Sequence, residues 1–385
     1  MLSLFKVFMS EDVIEPLNKV VLSGYITQGP QVVKYETALK KYFGNSNILT
    51  LNSATSGLTL ALRLLKKKTN EWIGFDDDDI VLTPALTCFA TNAAIMANNV
   101  NIRWLDVDLN TANISLKDLK RKLNEKTKII YLVHWGGYPV DLEVLNNILE
   151  EHKNEYGFKP KVIEDCAHSF GATFQDKMLG NHGNICVYST QAIKHLTTGD
   201  GGFIILPNKE LYDRAKLLRW YGIDREKRNY KGKDFRLESD ITEWGYKFHM
   251  NDISATIGLY NLPHMDKLLK KNRDNRDYYI EKLKNIDGIT LLENKKNRNS
   301  SVWLFTLKIK NKANFIEFMK DKNIMVSQVH NRNDTNSCVQ NYEEILPNLD
   351  ILEKELICIP VGWWISNTNR EYIVKCINKF CTTSI

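Results

Sequence analysis

A single lysine lies between a Ser/Thr pair and a glycine-rich turn in the stretch YSTQAIKHLTTGDGG, residues 188–202. An amine among small, hydroxylated residues has one chemical use that a surface cation lacks. Relieved of its proton, Lys194 is a nucleophile that can be tied up as an imine with a carbonyl carbon. A second candidate is Asp165 in VIEDCAHSFGA (162–172), preceded by mostly apolar residues. A carboxylate at the end of a buried strand is costly unless it meets a cation, although the same residue could simply cap the following turn.

A third candidate is an anion site. In LNSATSGLTLAL (51–62), Ala54, Thr55 and Ser56 lead directly into a helical pattern. Free N–H groups at a helix start bind anions, and ordinary Ser/Thr capping would look the same in sequence. Ser189, five residues before Lys194, can offer its hydroxyl to a phosphate. The TTGDGG turn after the lysine lets the backbone come close. Each feature alone is weak. Together they are the three contacts that pyridoxal 5′-phosphate requires, at its phosphate, its pyridinium nitrogen and its aldehyde carbon.

The elements that must position these groups are readable from periodicity. KIIYLVHW (128–135), KVIEDC (161–166), NICVYST (184–190) and GGFIIL (201–206) are short, Ile/Val-rich runs expected as buried strands. Amphipathic stretches at 57–68 and 141–153 alternate with them, which predicts an α/β domain with a mainly parallel sheet. Ligands of such sheets bind at the carboxyl ends of the strands. Residues 223–242 read as a charged excursion loop, and Pro263 should break the helical pattern of 252–283. An α+β tail follows, with strands near SSVWLFTLKI and ELICIPV. The expected division is a large domain over 1–260, including the amino-terminal segment, and a small one over 261–385.

Composition narrows the function classes. The 385 residues are 43% hydrophobic and 25% charged, as in soluble globular proteins, and hold no apolar run of membrane-spanning length. The amino-terminal residues lack the basic start and cleavage site of a signal peptide, so a cytoplasmic protein is expected. The net charge of +6 is scattered, without a basic/aromatic tract for nucleic acid, and suits a phosphate-bearing substrate. The seven cysteines form no CxxC pair and the histidines lack metal-ligand spacing, so no metal is expected.

The chain resembles the DegT/DnrJ/StrS family of pyridoxal-phosphate-dependent nucleotide-sugar aminotransferases, of the aspartate-aminotransferase fold type. The blocks that carry the resemblance are SGYITQGPQVVKYETALKKYFG (23–44), PALTCFATNAAIMANNVNIRWLDVD (84–108), VHWGGYPVDLEVL (133–145), VIEDCAHSFGA, YSTQAIKHLTTGDGG, LLRWYGIDR (217–225) and GYKFHMNDISATIGLYNL (245–262). The resemblance implies fold type I, a large domain with a mixed, mainly parallel sheet flanked by helices, and a smaller α+β domain. It implies Lys194 as the Schiff-base lysine, Asp165 as partner of the ring nitrogen and His168 at the cofactor's phenolic oxygen. Ala54, Thr55, Ser56 and Ser189 hold phosphate-cradle positions. Thr27, Gln28, Arg219 and His330 are placed near the substrate by resemblance.

Three positions depart from the family pattern. Ala54-Thr55 stands where relatives often have Gly-Thr, which keeps the backbone donors. Cys88 follows Thr87 where many relatives place an aromatic that stacks on the pyridine ring, with Phe89 next to it. Gly245-Tyr246-Lys247 stands where Gly-Tyr-Asn is common at the phosphate of a neighbouring subunit, so Lys247 is expected to serve a partner's cofactor in a homodimer. The implied reaction moves an amino group from an amino acid, L-glutamate, to a nucleotide-linked keto-deoxysugar used for a polysaccharide or glycoconjugate. The alternatives are a sugar 3-dehydratase of the same family, in which histidine replaces the lysine, and a non-catalytic regulatory relative. His195 makes the register matter, and the five-residue spacing from Ser189 selects Lys194.

Overall fold

The computed structural model describes residues 1–69, 71–225 and 240–383. The expected excursion loop falls mostly on residues 226–239, outside the described residues. The main sheet uses β1 (Ile48–Leu51), β2 (Ile80–Pro84), β3 (Asn101–Leu105), β4 (Thr127–Val133), β5 (Lys161–Asp165), β8 (Ile185–Ser189) and β9 (Gly202–Ile205), with β6 (Thr173–Phe174) and β7 (Lys177–Met178) as a short side ribbon. Its order is β1-β9-β8-β5-β4-β2-β3. Pairs from β3 through β8 are parallel, whereas β9 runs antiparallel to both β8 and β1. This is the mixed, mainly parallel sheet of fold type I.

Both faces of the sheet are covered, and the sequence pattern shows why. In β4, Ile129 and Tyr131 join one core while Ile130 and Leu132 join the other. β8 does the same, with Ile185 and Val187 on one side and Cys186 and Tyr188 on the other. An apolar residue at every position is the mark of a strand buried on two faces. The first core is closed by helix Ala54–Lys66, through Leu58 and Leu62. The second is closed by helices Pro30–Phe43 and Leu142–Tyr156.

The small sheet joins β10 (Ile289–Leu291), β12 (Phe305–Ile309) and β13 (Leu356–Ile359), all antiparallel, while β11 (Arg298–Asn299) pairs with β6. Helices Lys312–Asp321 and Asn367–Thr383 pack on it around Leu307, Phe315 and Ile377. Pro263 breaks the helical pattern as expected: helix Asp252–Asn261 gives way to a 3₁₀ turn, Leu262–His264, before helix Met265–Leu283 begins. The strand expected from Ser300 starts only at Phe305. The first residues of the chain touch both layers, with Leu2 against the core of the small layer and Leu4 in a core of the main sheet. Leu2 bridges Ile324, Trp364 Nε1 donates to the Ser3 carbonyl, and Ser10 N then donates to Asn261 Oδ1 on the large side. Among the described residues, no helix is long and apolar enough to cross a membrane.

A buried ion pair braces the edge of the main sheet. Glu36 Oε1 accepts from Thr50 N (3.0 Å), Thr50 Oγ1 (2.8 Å) and Arg219 Nη1 (2.5 Å), and Arg219 also donates to the Thr50 carbonyl. Burial alone would raise the Glu36 carboxyl, but the guanidinium and the Thr50 bonds outweigh it and hold it below the usual range. Removing one member of such a pair strands the other charge. Glu36→Ala is expected to cost about 3–5 kcal/mol in urea unfolding, and the apolar pair Glu36→Leu/Arg219→Met clearly less. Equal losses in the two variants would remove the bracing role.

Candidate active site

The carboxyl edge of the sheet gathers the predicted groups. Leu51 of β1 and Ser189 of β8 both pair with Gly202 of β9, so three strands meet in one row at that edge. Helix Ala54–Lys66 starts directly above it. A Cβ at residue 202 would lie 2.7 Å from Ala54 N, so only glycine lets the helix start sit this close. Ser53 caps the helix by accepting from Ser56 N (3.0 Å), which leaves the Ala54 and Thr55 amides as the first donors of the turn. Ser189 is buried and its Oγ accepts from Gln191 N. The residues expected to cradle a phosphate are thus brought together.

Lys194 lies on the loop between β8 and β9. The loop is closed by backbone bonds from Thr198 to Thr190 and from Thr190 to Gly201, and by a Thr190–Thr198 hydroxyl contact of 2.7 Å. Asn261 anchors it from outside by donating to the Thr197 carbonyl. The half-buried Lys194 points its Nζ at the face of Trp303, 3.7 Å from the ring centroid. Burial pushes its amine down to about 8, against the Asp165 carboxylate, which favours the charged form. His195 turns the other way and donates to the Ser301 carbonyl (3.0 Å).

Asp165 ends β5 in register with Val133 and Val187 and is almost fully buried. Its Oδ2 accepts from Thr91 Oγ1 (2.7 Å) and its Oδ1 from Ala167 N (3.0 Å). Burial still raises its carboxyl above the usual range. Among the described residues it forms no ion pair, and a protonated ring nitrogen would supply one. His168 is buried, and its Nδ1 has no hydrogen-bond partner among the described residues. Burial, then the Lys194 charge, holds this imidazole well below its ordinary range, so it is neutral.

The other predicted residues divide. His330 reaches the site, with Nε2 3.4 Å from His168 Nε2. Cys88 is exposed at the start of helix Phe89–Met96, beside the Thr87–Thr91–Asp165 chain of hydroxyls, and Phe89 is also exposed. Lys247 is exposed, and its carbonyl accepts from Asn52, next to the helix cap. Thr27 and Gln28 form a turn held from outside: Asp252 N donates to the Thr27 carbonyl, and Arg225 to that of Gln28. Arg219, expected near substrate, is buried, and its Nη1 donates to Glu36 Oε1 and to the Thr50 carbonyl.

Sequence reasoning missed Trp303 and Thr91. Trp303 stood inside a presumed strand. The segment 300–304 leaves the sheet because Gly136 and Gly137 accept from Ser301, Trp303 and Leu304 amides, while Ser301 Oγ donates to the His168 carbonyl. A Cβ at Gly137 would sit 2.2 Å from Ser301 Oγ. Thr91 carried no signal beyond its position seven residues after Pro84, inside a recognised block.

The profile of the DegT/DnrJ/EryC1/StrS aminotransferase family matches residues 8–378. The chain belongs to that family. The sugar aminotransferase CalS13 from Micromonospora echinospora has the same fold, with a TM-score of 0.92 at 41% identity over 98% of this chain and 100% of that one. AtS13 from Actinomadura melliaura also gives 0.92, at 43% identity over 98% of each chain. A UDP-4-amino-4-deoxy-L-arabinose–oxoglutarate aminotransferase from Shewanella sediminis is 28% identical over 284 residues, 74% of this chain and 69% of its own. The protein is a sugar aminotransferase that works with pyridoxal 5′-phosphate, and its residues fit that group. The unpartnered His168 Nδ1, the under-compensated Asp165 and the depressed Lys194 amine each have a place for it.

The Lys194 shift predicts a pH signature in the cofactor-free enzyme. Between about 8 and the ordinary lysine value of about 10.4, the unfolded chain binds more protons than the folded one, so stability rises with pH. Below that window the penalty of burying the ammonium is present in full. Compared by urea unfolding, wild type should gain on Lys194→Met as pH rises from about 7.5 to about 10. A constant difference would place the lysine charge in water.

Proposed function

We propose that this aminotransferase moves an amino group from L-glutamate to a nucleotide-linked keto-deoxysugar. The observation that carries the reading is the register at the lysine. Lys194 presents a depressed amine on the Asp165 side, whereas His195 is tied to the Ser301 carbonyl. A dehydratase of this family would need an imidazole in place of that amine, and a regulatory relative would not need the amine depressed. The Shewanella relative's name pairs a UDP-linked sugar with oxoglutarate, the keto acid that L-glutamate leaves after giving up its amino group. The net charge of +6 suits a substrate bearing phosphates.

When bound, the cofactor supplies an electron sink for the bond to the substrate's α-hydrogen. The side chains do the rest. Asp165 keeps a proton on the ring nitrogen, and His168 contacts the ring oxygen. Lys194 would hold the cofactor at rest and, once freed, would take and return the substrate's α-proton as base and acid. Ala54, Thr55, Ser56 and Ser189 hold the phosphate, and the ring is covered by the Cys88 thiol or by Phe89. Thr27 and Gln28 belong to the sugar side, and Lys247 serves the phosphate of a second copy in a cytoplasmic homodimer. The division at residue 260 falls just before the break at Leu262–His264.

The test is the visible spectrum. Purified enzyme with pyridoxal 5′-phosphate should be yellow, bleach with excess L-glutamate and regain colour with a nucleotide-linked keto-sugar. Lys194→Ala should lack the initial band. A wild-type protein without that band removes the assignment of Lys194 and favours the regulatory reading.

A further inference from the structure

His330 arrives from the loop after Val326 and meets His168 edge to edge. Their Nε2 atoms are 3.4 Å apart and their ring planes differ by 4°. Two tryptophans fix this geometry. Trp303 lies flat on His168 at 4.0 Å and 21°, and nearly parallel to His330 at 6.4 Å and 23°. Trp135 stands edge-on to both, at 79° and 78°. Trp303 is itself pinned by donating its Nε1 proton to the Ile193 carbonyl (2.9 Å).

The backbone is distorted to deliver these rings. Val302 (φ 57°) and Val329 (φ 72°) are both left-handed, and each immediately precedes an aromatic of the cluster, Trp303 and His330. β-branched residues avoid that region, and such outliers persist only where their surroundings over-determine them. Asn272 Nδ2 donates to the Val302 carbonyl, and Ser327 Oγ accepts from Val329 N. Two strained valines serving one pair of histidines indicate that the contact between the rings is specified.

The proton count then decides what the contact does. Lys194 charge and burial keep both imidazoles neutral, with His330 pushed down to about 4. A hydrogen bond between two neutral imidazoles holds one proton, so one ring donates and the other accepts. The accepting ring must carry its own proton on Nδ1. We propose that His330 donates from Nε2 to His168 Nε2 and thereby fixes His168 as the Nδ1–H tautomer, with its proton offered to the cofactor's ring oxygen. The inference rests on the reading of His168 given under Proposed function. The direction follows from charge: an anionic ring oxygen is bound by a donor, whereas a bare Nδ1 would set a lone pair against it. His330 is therefore a positioning residue that acts through His168. Its expected role beside the sugar gives way to one beside the cofactor.

The test uses the full-length protein with ¹⁵N-labelled histidine, and the His168 signals are assigned through His168→Asn. In the wild type, Nδ1 should report a protonated nitrogen and Nε2 a bare one, with and without pyridoxal 5′-phosphate. His330→Phe should lose this preference and bind pyridoxal 5′-phosphate about tenfold more weakly, read by tryptophan quenching. His330→Gln, whose amide can donate, should restore both. His168 found protonated on Nε2 in the wild type overturns the proposal, even if the Phe variant fails to fold, and so does a tautomer unchanged in His330→Phe. An enzyme that transaminates with His168 in the other tautomer loses this inference alone. A protein that keeps the tautomer but takes up no cofactor overturns the functional reading, and with it the ring oxygen as acceptor.

Discussion

A carboxylate buried at the end of β5 is the constraint around which the site is arranged. Asp165 has two hydrogen-bond donors, Thr91 and Ala167, yet its carboxyl is still raised by burial. Two neutral donors do not offset the desolvation of a full charge. The Lys194 ammonium acts on it across the site, but that amine is itself depressed. Neither charge is well satisfied by the protein alone. The proposed contacts, a ring nitrogen at Asp165 and a carbonyl carbon at Lys194, would offset both.

The large sheet supplies the anion and the amine, and the small layer supplies the rings that enclose them. Gly136 and Gly137 permit this by accepting the backbone of residues 300–304, and at Gly137 the approach is too close for a side chain. The second loop docks independently: Asn333 bonds Ala85 and Thr87 backbone and the Asn92 side chain, next to Thr91. Both loops therefore end on the same strand-edge row that holds Asp165. Trp303 contacts Lys194 and His168 at once, so the amine and the imidazole share one wall.

Much of this was legible because it rests on local pattern. β5, β8 and β9 lie within the runs read as strands, and β4 begins one residue before its run, since strands buried on both faces are mostly apolar. Lys194, Asp165 and Ser189 stood out because strand ends place polar groups after apolar runs. Non-local partners left no such trace. Arg219 is buried because Glu36 lies 183 residues away in sequence, and nothing in LLRWYGIDR announces that partner. Trp303 looked like a strand residue, because the glycine pair that pulls its segment from the sheet belongs to another block. The His168–His330 contact spans 162 residues and two layers.

The chain's first residues tie the two layers together. Phe5 stacks on Trp303 at 5.0 Å, on the small side, and Ser10 is held by Asn261 on the large side. Phe5 and Ser10 are five residues apart, so their Cα atoms can separate by about 17 Å at most. The segment acts as a short leash. A swing of the small layer that opened the site beyond that reach would have to peel Phe5 from the indole that walls Lys194. Access to the amine and the anchoring of the amino terminus are thereby one mechanical degree of freedom.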